Sequence, residues 1–67
     1  MDLDYIKEQK AKLMENINYA KASDINKVSA IIMWDEELKK EIIMELILEG
    51  YRVSLKEDEV DILTIEW

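Results

Sequence analysis

The chain has 67 residues, a net charge of −7, and neither Cys nor His. A domain of this length buries only about 60% of its extended surface, and without Cys or His it has neither disulfides nor the usual zinc ligands to stabilise it. We therefore expect one domain, residues 1–67, that reaches stability by packing and by association with a further chain.

The charge is unevenly distributed, and its distribution argues against several functions. Residues 1–27 hold five acidic and five basic residues, whereas residues 28–67 hold eleven acidic against four basic residues. Direct binding to nucleic acid requires clustered Lys and Arg, so we do not expect it. No segment has the length of a membrane span or the pattern of a signal peptide, which predicts a cytoplasmic protein that does not bind membranes.

The first predicted element is an amphipathic helix over residues 1–22. Its apolar residues follow the 3–4 spacing of a helix, namely Leu3, Ile6, Leu13, Ile17 and Ala20. Lys10 is the one polar interruption in this stripe. The pattern ends at Ser23 and Asp24, which are typical of a turn.

Residues 27–34 predict a strand, with a helix as the alternative. The segment is rich in β-branched residues and is flanked by turn formers, which favours a strand. A continuous helix would instead place Asp35 and Lys39 on its core-facing line, where polar side chains fit poorly. The fold that follows from this alternative is an αα-hairpin with a C-terminal β-hairpin.

The second predicted helix, residues 36–49, is apolar almost all the way round. Asp35 is a suitable N-cap, and Gly50 stands in the left-handed cap position at the other end. Because so short a chain cannot enclose the helix on every side, we expect four residues to form an association face: Ile43, Met44, Ile47 and Leu48. This association face predicts a homo-oligomer.

The chain ends in a predicted β-hairpin. Residues 51–56 alternate between apolar and polar side chains, and residues 60–67 are apolar on both sides. The expected fold class is therefore α+β, an αβαββ domain with two helices and a three-stranded mixed sheet. The crossover through the second helix makes the first two strands parallel, and the two-sided apolar pattern places the last strand in the centre.

The residue types that most enzymes and metal sites use are missing. His and Cys, the commonest general base and covalent nucleophile, do not occur. No glycine-rich loop is present to bind phosphate. The acidic residues of the hairpin turn lack the spacing of a calcium loop, and an exposed turn does not provide the environment that acid–base catalysis by a carboxylate requires. We expect a protein that is not an enzyme and that uses no metal ion or cofactor.

Two further groups of residues are candidates for binding. Acidic residues at the start of the second helix and in the hairpin turn form a candidate acidic recognition surface for a basic partner, namely Glu36, Glu37, Glu57, Asp58, Glu59 and Asp61. Aromatic and cationic residues form a candidate pocket for a small nucleotide-like ligand between protomers, namely Trp34, Tyr51, Arg52 and Trp67.

The C-terminal part of the chain also carries a recurring pattern. A helix end of the form Leu-x-x-x-Gly-Tyr-x-Val precedes a hairpin that ends in Ile-x-Trp, through Leu46, Gly50, Tyr51, Val53, Ile65 and Trp67. Residues 28–67 thereby resemble small uncharacterised proteins encoded by bacteriophages and prophages. The resemblance implies a short accessory gene whose product acts on host machinery or host defence, and it supplies no catalytic residue. The first helix is not part of the shared pattern.

These patterns lead to one expected function and two alternatives. We expect a non-enzymatic acidic protein that self-associates and sequesters or inhibits a host protein of defence or nucleic-acid handling. The first alternative is an oligomeric trap that holds a small nucleotide-like molecule between protomers. The second alternative is a structural subunit of a larger particle.

Overall fold

A computed structural model describes residues 3–67 of the chain. These residues form five elements in the order α1 (Leu3–Ala22), β1 (Lys27–Ile32), α2 (Glu36–Leu48), β2 (Arg52–Glu57) and β3 (Asp61–Glu66). The expected α+β fold and its order of elements are confirmed, and residues 27–32 form a strand, not the alternative helix. Residues 1 and 2, which the sequence places in the first helix, lie outside the described residues.

The three strands form an antiparallel sheet in the order β1-β3-β2. β3 lies in the centre, as its two-sided apolar pattern predicts. The description of the sheet as mixed is wrong. β1 and β2 do run in the same direction, but β3 separates them and pairs antiparallel with each, so no parallel pair is hydrogen-bonded.

Both helices pack on one face of the sheet, and the core lies between the two layers. α1 packs over β1, α2 packs over β2, and the two helices contact each other. The most deeply buried side chains come from both layers, namely Ile17, Ile42, Leu46, Leu63 and Ile65. The opposite face, called the outer face below, carries the residues that alternate with these and has no helix against it within residues 3–67.

Local hydrogen bonds explain where the helices end. The Asp35 carboxylate accepts a hydrogen bond from the Leu38 N–H at 2.8 Å, which caps the start of α2. At its other end Gly50 adopts a φ of 97°, and the Tyr51 N–H returns to the Leu46 carbonyl at 3.1 Å, as in a Schellman motif. α1 ends in the same motif with Asp24 in the left-handed position, at a φ of 63°.

Candidate interaction surfaces

The association face lies on the side of α2 that points away from the core. Met44, Ile47 and Leu48 are 53%, 55% and 80% exposed, and Ile43 is half-buried beside them. These four side chains and Lys40 line a shallow apolar concavity. The structure therefore brings together all four residues that the sequence assigns to this face, and it leaves Met44, Ile47 and Leu48 largely uncovered within residues 3–67.

The opposite side of α2 explains why this apolar surface is left over. Leu38, Ile42 and Leu46 lie four residues apart, on one side of the helix, and all three are buried in the core. In a two-layer domain a helix packs against the other layer with one side only. Of the remaining apolar residues of α2, Ile43 packs partly against the core, whereas Met44, Ile47 and Leu48 stay more than half exposed.

Three members of the acidic recognition surface surround a buried lysine, Lys39, which is only 5% exposed. Its Nζ lies 2.8 Å from a Glu36 carboxylate oxygen, 2.9 Å from Asp61 and 3.7 Å from Glu57. The pKa of Lys39 is raised far above its usual value. The hydrogen bond to Glu36 is the largest cause, and the hydrogen bond to Asp61 is the second largest. The ammonium group therefore joins the start of α2 to both strands of the hairpin.

The sequence interpretation missed this role of Lys39, although a signal was present. Lys39, Ile42 and Leu46 follow the i, i+3, i+7 spacing of a core-facing line. A lysine on such a line is buried only when acidic partners compensate its charge. The compensating residues Asp61 and Glu57 lie far along the chain, so only the folded hairpin brings them close.

The acidic recognition surface consequently divides into two halves. Glu36, Glu57 and Asp61 share one cation, Lys39, whereas Glu37, Asp58 and Glu59 are exposed and form no ion pair among residues 3–67. The first half is thus partly compensated, and the second half offers wholly uncompensated charge to a partner. Within the described chain, no group of three or more acidic side chains has an arrangement that could hold a metal ion.

A second lysine explains the polar interruption in α1. The Lys10 Nζ donates a hydrogen bond to Glu49 at 2.7 Å and lies 3.8 Å from Glu45, so it links α1 to α2. The hydrogen bond to Glu49 is the largest cause that raises the pKa of Lys10. Because the groups remain partly exposed to water, this contact orients the helices and contributes little to stability.

The four residues of the candidate ligand pocket do not come together within one chain. The rings of Tyr51 and Trp67 meet edge to face at a centroid distance of 6.0 Å, and the Lys21 ammonium donates a hydrogen bond to the Tyr51 hydroxyl at 2.7 Å. Arg52 lies beside Trp67 in a cleft that also contains Glu66. This cleft lies at the end of the sheet where β1 begins.

Trp34, the fourth residue of that set, lies beyond the opposite end of β1. Its indole N–H donates a hydrogen bond to the Gln9 side chain of α1 at 3.3 Å. Trp34 lines a different groove of about 350 Å³, which lies between α1 and the edge of β1 that does not pair with β3. The other lining residues include Tyr5, Gln9, Leu13 and residues 30–33. The separation of Trp34 from the other three residues could not be predicted from the sequence, because it depends on the direction in which β1 runs under α1.

Comparison of the chain with protein-family models, with curated proteins and with solved structures found no match. Among residues 3–67, neither helix has the length and apolar character that crossing a bilayer requires.

Proposed function

We propose that this protein is a non-enzymatic binding module that self-associates through the association face and sequesters a partner protein. The observation that carries the proposal is the association face itself. Met44, Ile47 and Leu48 are adjacent on one side of α2, are more than half exposed, and share an almost wholly apolar concavity. A contiguous apolar surface of this kind typically marks a protein interaction site.

The association face alone is smaller than a standard protein interface. These side chains expose on the order of 300 Å² per chain, which is below the roughly 800 Å² per partner of a standard stable interface. The interface must therefore include neighbouring surface. A second apolar concavity lies along α1 where it adjoins α2, lined by Leu3, Ile6 and Met14 among others. We expect a dimer or larger oligomer that forms at micromolar concentration, since association itself costs several kcal/mol.

The uncompensated acidic residues favour a partner protein whose binding surface is basic. Glu37, Asp58 and Glu59 project from the start of α2 and from the hairpin turn, in a protein whose net charge is −7. Complementary charge of this kind accelerates and orients protein association. The resemblance of residues 28–67 to phage-encoded proteins suggests that this partner is a host protein. Occlusion of the partner's own binding surface would then be the mechanism.

The geometry favours a protein partner over the trap for a nucleotide-like molecule. Among residues 3–67, Arg52 is the cation that lines the cleft beside Trp67, and the Glu66 carboxylate lies in the same cleft. The Lys21 ammonium lies 5.6 Å from the centroid of the Trp67 ring, and it donates a hydrogen bond to the Tyr51 hydroxyl. A carboxylate beside Arg52 opposes the binding of phosphate.

Sedimentation equilibrium tests the self-association. We expect the wild-type chain to sediment as a dimer or larger at micromolar concentration, and Leu48→Glu to sediment as a monomer of 8.0 kDa. Tyr19→Glu is the matched control, because Tyr19 is 75% exposed on α1 and outside the association face. A wild-type chain that remains monomeric would overturn the proposal.

A variant that lacks the three exposed carboxylates tests the acidic half of the proposal. Changing Glu37, Asp58 and Glu59 to Gln or Asn should leave folding intact, since exposed substitutions usually change stability by less than about 0.5 kcal/mol each. Binding to a partner isolated from host extract should weaken and lose its salt dependence. Unchanged affinity and salt dependence would show that these charges serve only solubility.

A further inference from the structure

β1 has one edge that pairs with β3 and one edge that pairs with nothing among residues 3–67. In an antiparallel pair, opposite residues alternate between hydrogen-bonded and non-hydrogen-bonded pairs. The Trp67 N–H donates to the Asn26 carbonyl at 3.1 Å, and this pair continues the β1–β3 register by one residue. The β1 residues whose backbone groups face β3 are therefore Val28, Ala30 and Ile32.

The alternate residues of β1 consequently direct their N–H and C=O groups to the free edge, and these residues are Lys27, Ser29 and Ile31. They leave a row of three backbone donors and three acceptors without a strand partner. Another extended backbone matches the regular spacing of such a row, as in β-strand addition. The chemistry of the edge therefore fits an extended polypeptide segment as its occupant.

The side chains along this edge do not protect it. Edge strands usually avoid pairing by means of charged residues, and β2 carries Arg52 and Lys56 on its outer face. β1 has one charge, Lys27, at its beginning. Farther along the same edge Ile31 is 67% exposed and Met33, just beyond the strand, is 93% exposed. The β1 edge therefore combines unpaired backbone groups with exposed apolar side chains, which the β2 edge does not.

A groove continues from this edge beneath α1. The groove of about 350 Å³ lies between α1 and the last residues of β1, and it includes the aromatic side chains of Tyr5 and Trp34 and the buried Leu13. A strand added to β1 would turn every second side chain toward the helices. Those side chains would enter the groove.

A second copy of β1 does not fit this edge. A two-fold pairing of β1 with itself places the two strands about 4.8 Å apart. Because α1 packs over β1, the same pairing also brings the two α1 helices toward each other, whereas packed helices need about 8–10 Å between their axes. A single extended segment without a helix above it has no such conflict.

β3 shows which side chains β1 accepts on the outer face. In chain order β1 presents a cation, a hydroxyl and an apolar side chain there, namely Lys27, Ser29 and Ile31. Opposite them β3 places an acid, a hydroxyl and an apolar side chain, namely Glu66, Thr64 and Ile62. The Ser29 and Thr64 hydroxyls form a hydrogen bond at 3.0 Å. The same three β1 side chains border the free edge, so a segment with the same alternation fits it.

We propose that the free edge of β1 and the groove beneath α1 bind an extended segment of a partner protein by antiparallel strand addition. The segment carries an apolar residue, a Ser or Thr, and an acidic residue at alternate positions, in that order. This inference rests on the proposed function as a protein-binding module, and it adds a second contact surface that is separate from the association face.

Amide hydrogen exchange tests the site, with an acetylated and amidated peptide that copies residues 61–66 as the probe. In the free protein we expect rapid exchange at Ser29 and Ile31 and protection at Ala30 and Ile32. The peptide should protect Ser29 and Ile31 and leave the other two protected. Unchanged exchange, protection on the β2 edge only, or loss of protection at Ala30 would each overturn the proposal, the last because the peptide would have displaced β3.

Single substitutions test the backbone contact. Ser29→Pro removes one N–H that faces the free edge, a position at which edge strands accept Pro. The affinity of the Ser29→Pro variant for the peptide should fall about tenfold, because one carbonyl of the peptide loses its hydrogen-bond donor. Ser29→Ala is the matched control, which keeps the N–H and should bind within about threefold of wild type. Equal affinity of the two variants would contradict strand addition.

A further variant covers the case in which Ser29→Pro does not fold. Ile31→Glu changes a side chain that projects from the outer face, so folding should persist, and it should weaken peptide binding by about fivefold or more through lost apolar contact. Full binding by a folded Ile31→Glu would contradict the proposed alternation.

Sedimentation of the same samples separates this inference from the proposed function. A wild-type chain that self-associates but gives no peptide protection would overturn strand addition alone. A chain that is monomeric and unprotected by peptide would overturn both. Loss of self-association in Ser29→Pro would show that β1 pairs with a second copy, which would contradict the proposed occupant.

Discussion

The two sides of α2 have similar composition and opposite environments. One side buries Leu38, Ile42 and Leu46 in the core, and the other exposes Met44, Ile47 and Leu48. Within a two-layer domain a helix needs only one apolar side. Apolar composition alone therefore does not show which side of a helix is buried. The rest of the fold decides which side is buried within the chain.

The largest expected effect comes from the same substitution on each side of α2. Ile42 is fully buried, so Ile42→Ala should lower the free energy of unfolding by about 2–5 kcal/mol. Ile47→Ala should change it by less than about 1 kcal/mol in the monomer, because Ile47 is exposed there. Urea unfolding in dilute solution measures both. Equal losses would mean that the two sides are buried alike.

Two adjacent lysines of α2 provide the next comparison. Lys39→Met leaves three carboxylates around a position without a cation, and repulsion among them should lower the urea midpoint clearly. Lys40→Met is the control, because Lys40 is exposed and forms no ion pair among residues 3–67. A midpoint that falls equally in both variants would contradict the structural role of Lys39.

The contribution of Lys39 to stability should also depend on pH. The pKa of Lys39 is higher in the folded chain than its usual value of 10.5. Its contribution is therefore complete below about pH 10.5 and declines above it, because the unfolded chain releases the Lys39 proton first. Chemical unfolding at a series of alkaline pH values should show this decline in the wild type and a smaller one in Lys39→Met. If the stability of the wild type and of Lys39→Met declined equally with pH, the raised pKa of Lys39 would be contradicted.

The fold could be predicted largely from short-range patterns. The N-cap at Asp35, the left-handed residue Gly50 and the central position of β3 all follow from local sequence, because the responsible residues are neighbours along the chain. The link from Lys39 to Asp61 and the separation of Trp34 from Trp67 could not be predicted, since both depend on how distant elements are placed. The association face was recognisable because its residues share one helix.

The smallest expected effect concerns the end of α1, where the left-handed residue is Asp24 and not a glycine as in α2. Asp24→Gly should raise the free energy of unfolding by roughly 0.5 kcal/mol, since Gly adopts a φ of 63° without strain. Asp24→Ala keeps the strain and should be less stable than Asp24→Gly in thermal unfolding. The reverse order would show that α1 does not end in this motif in solution.

In the proposed function, a second copy of the chain covers the outer side of α2. Isotope-filtered NMR on a mixture of labelled and unlabelled chains tests it most directly, because only contacts between different chains give a signal. We predict intermolecular nuclear Overhauser effects at the methyl groups of Met44, Ile47 and Leu48, and none at the buried methyl groups of Ile42. Intermolecular contacts confined to other surfaces, or none at a concentration where the chain sediments as an oligomer, would contradict the account.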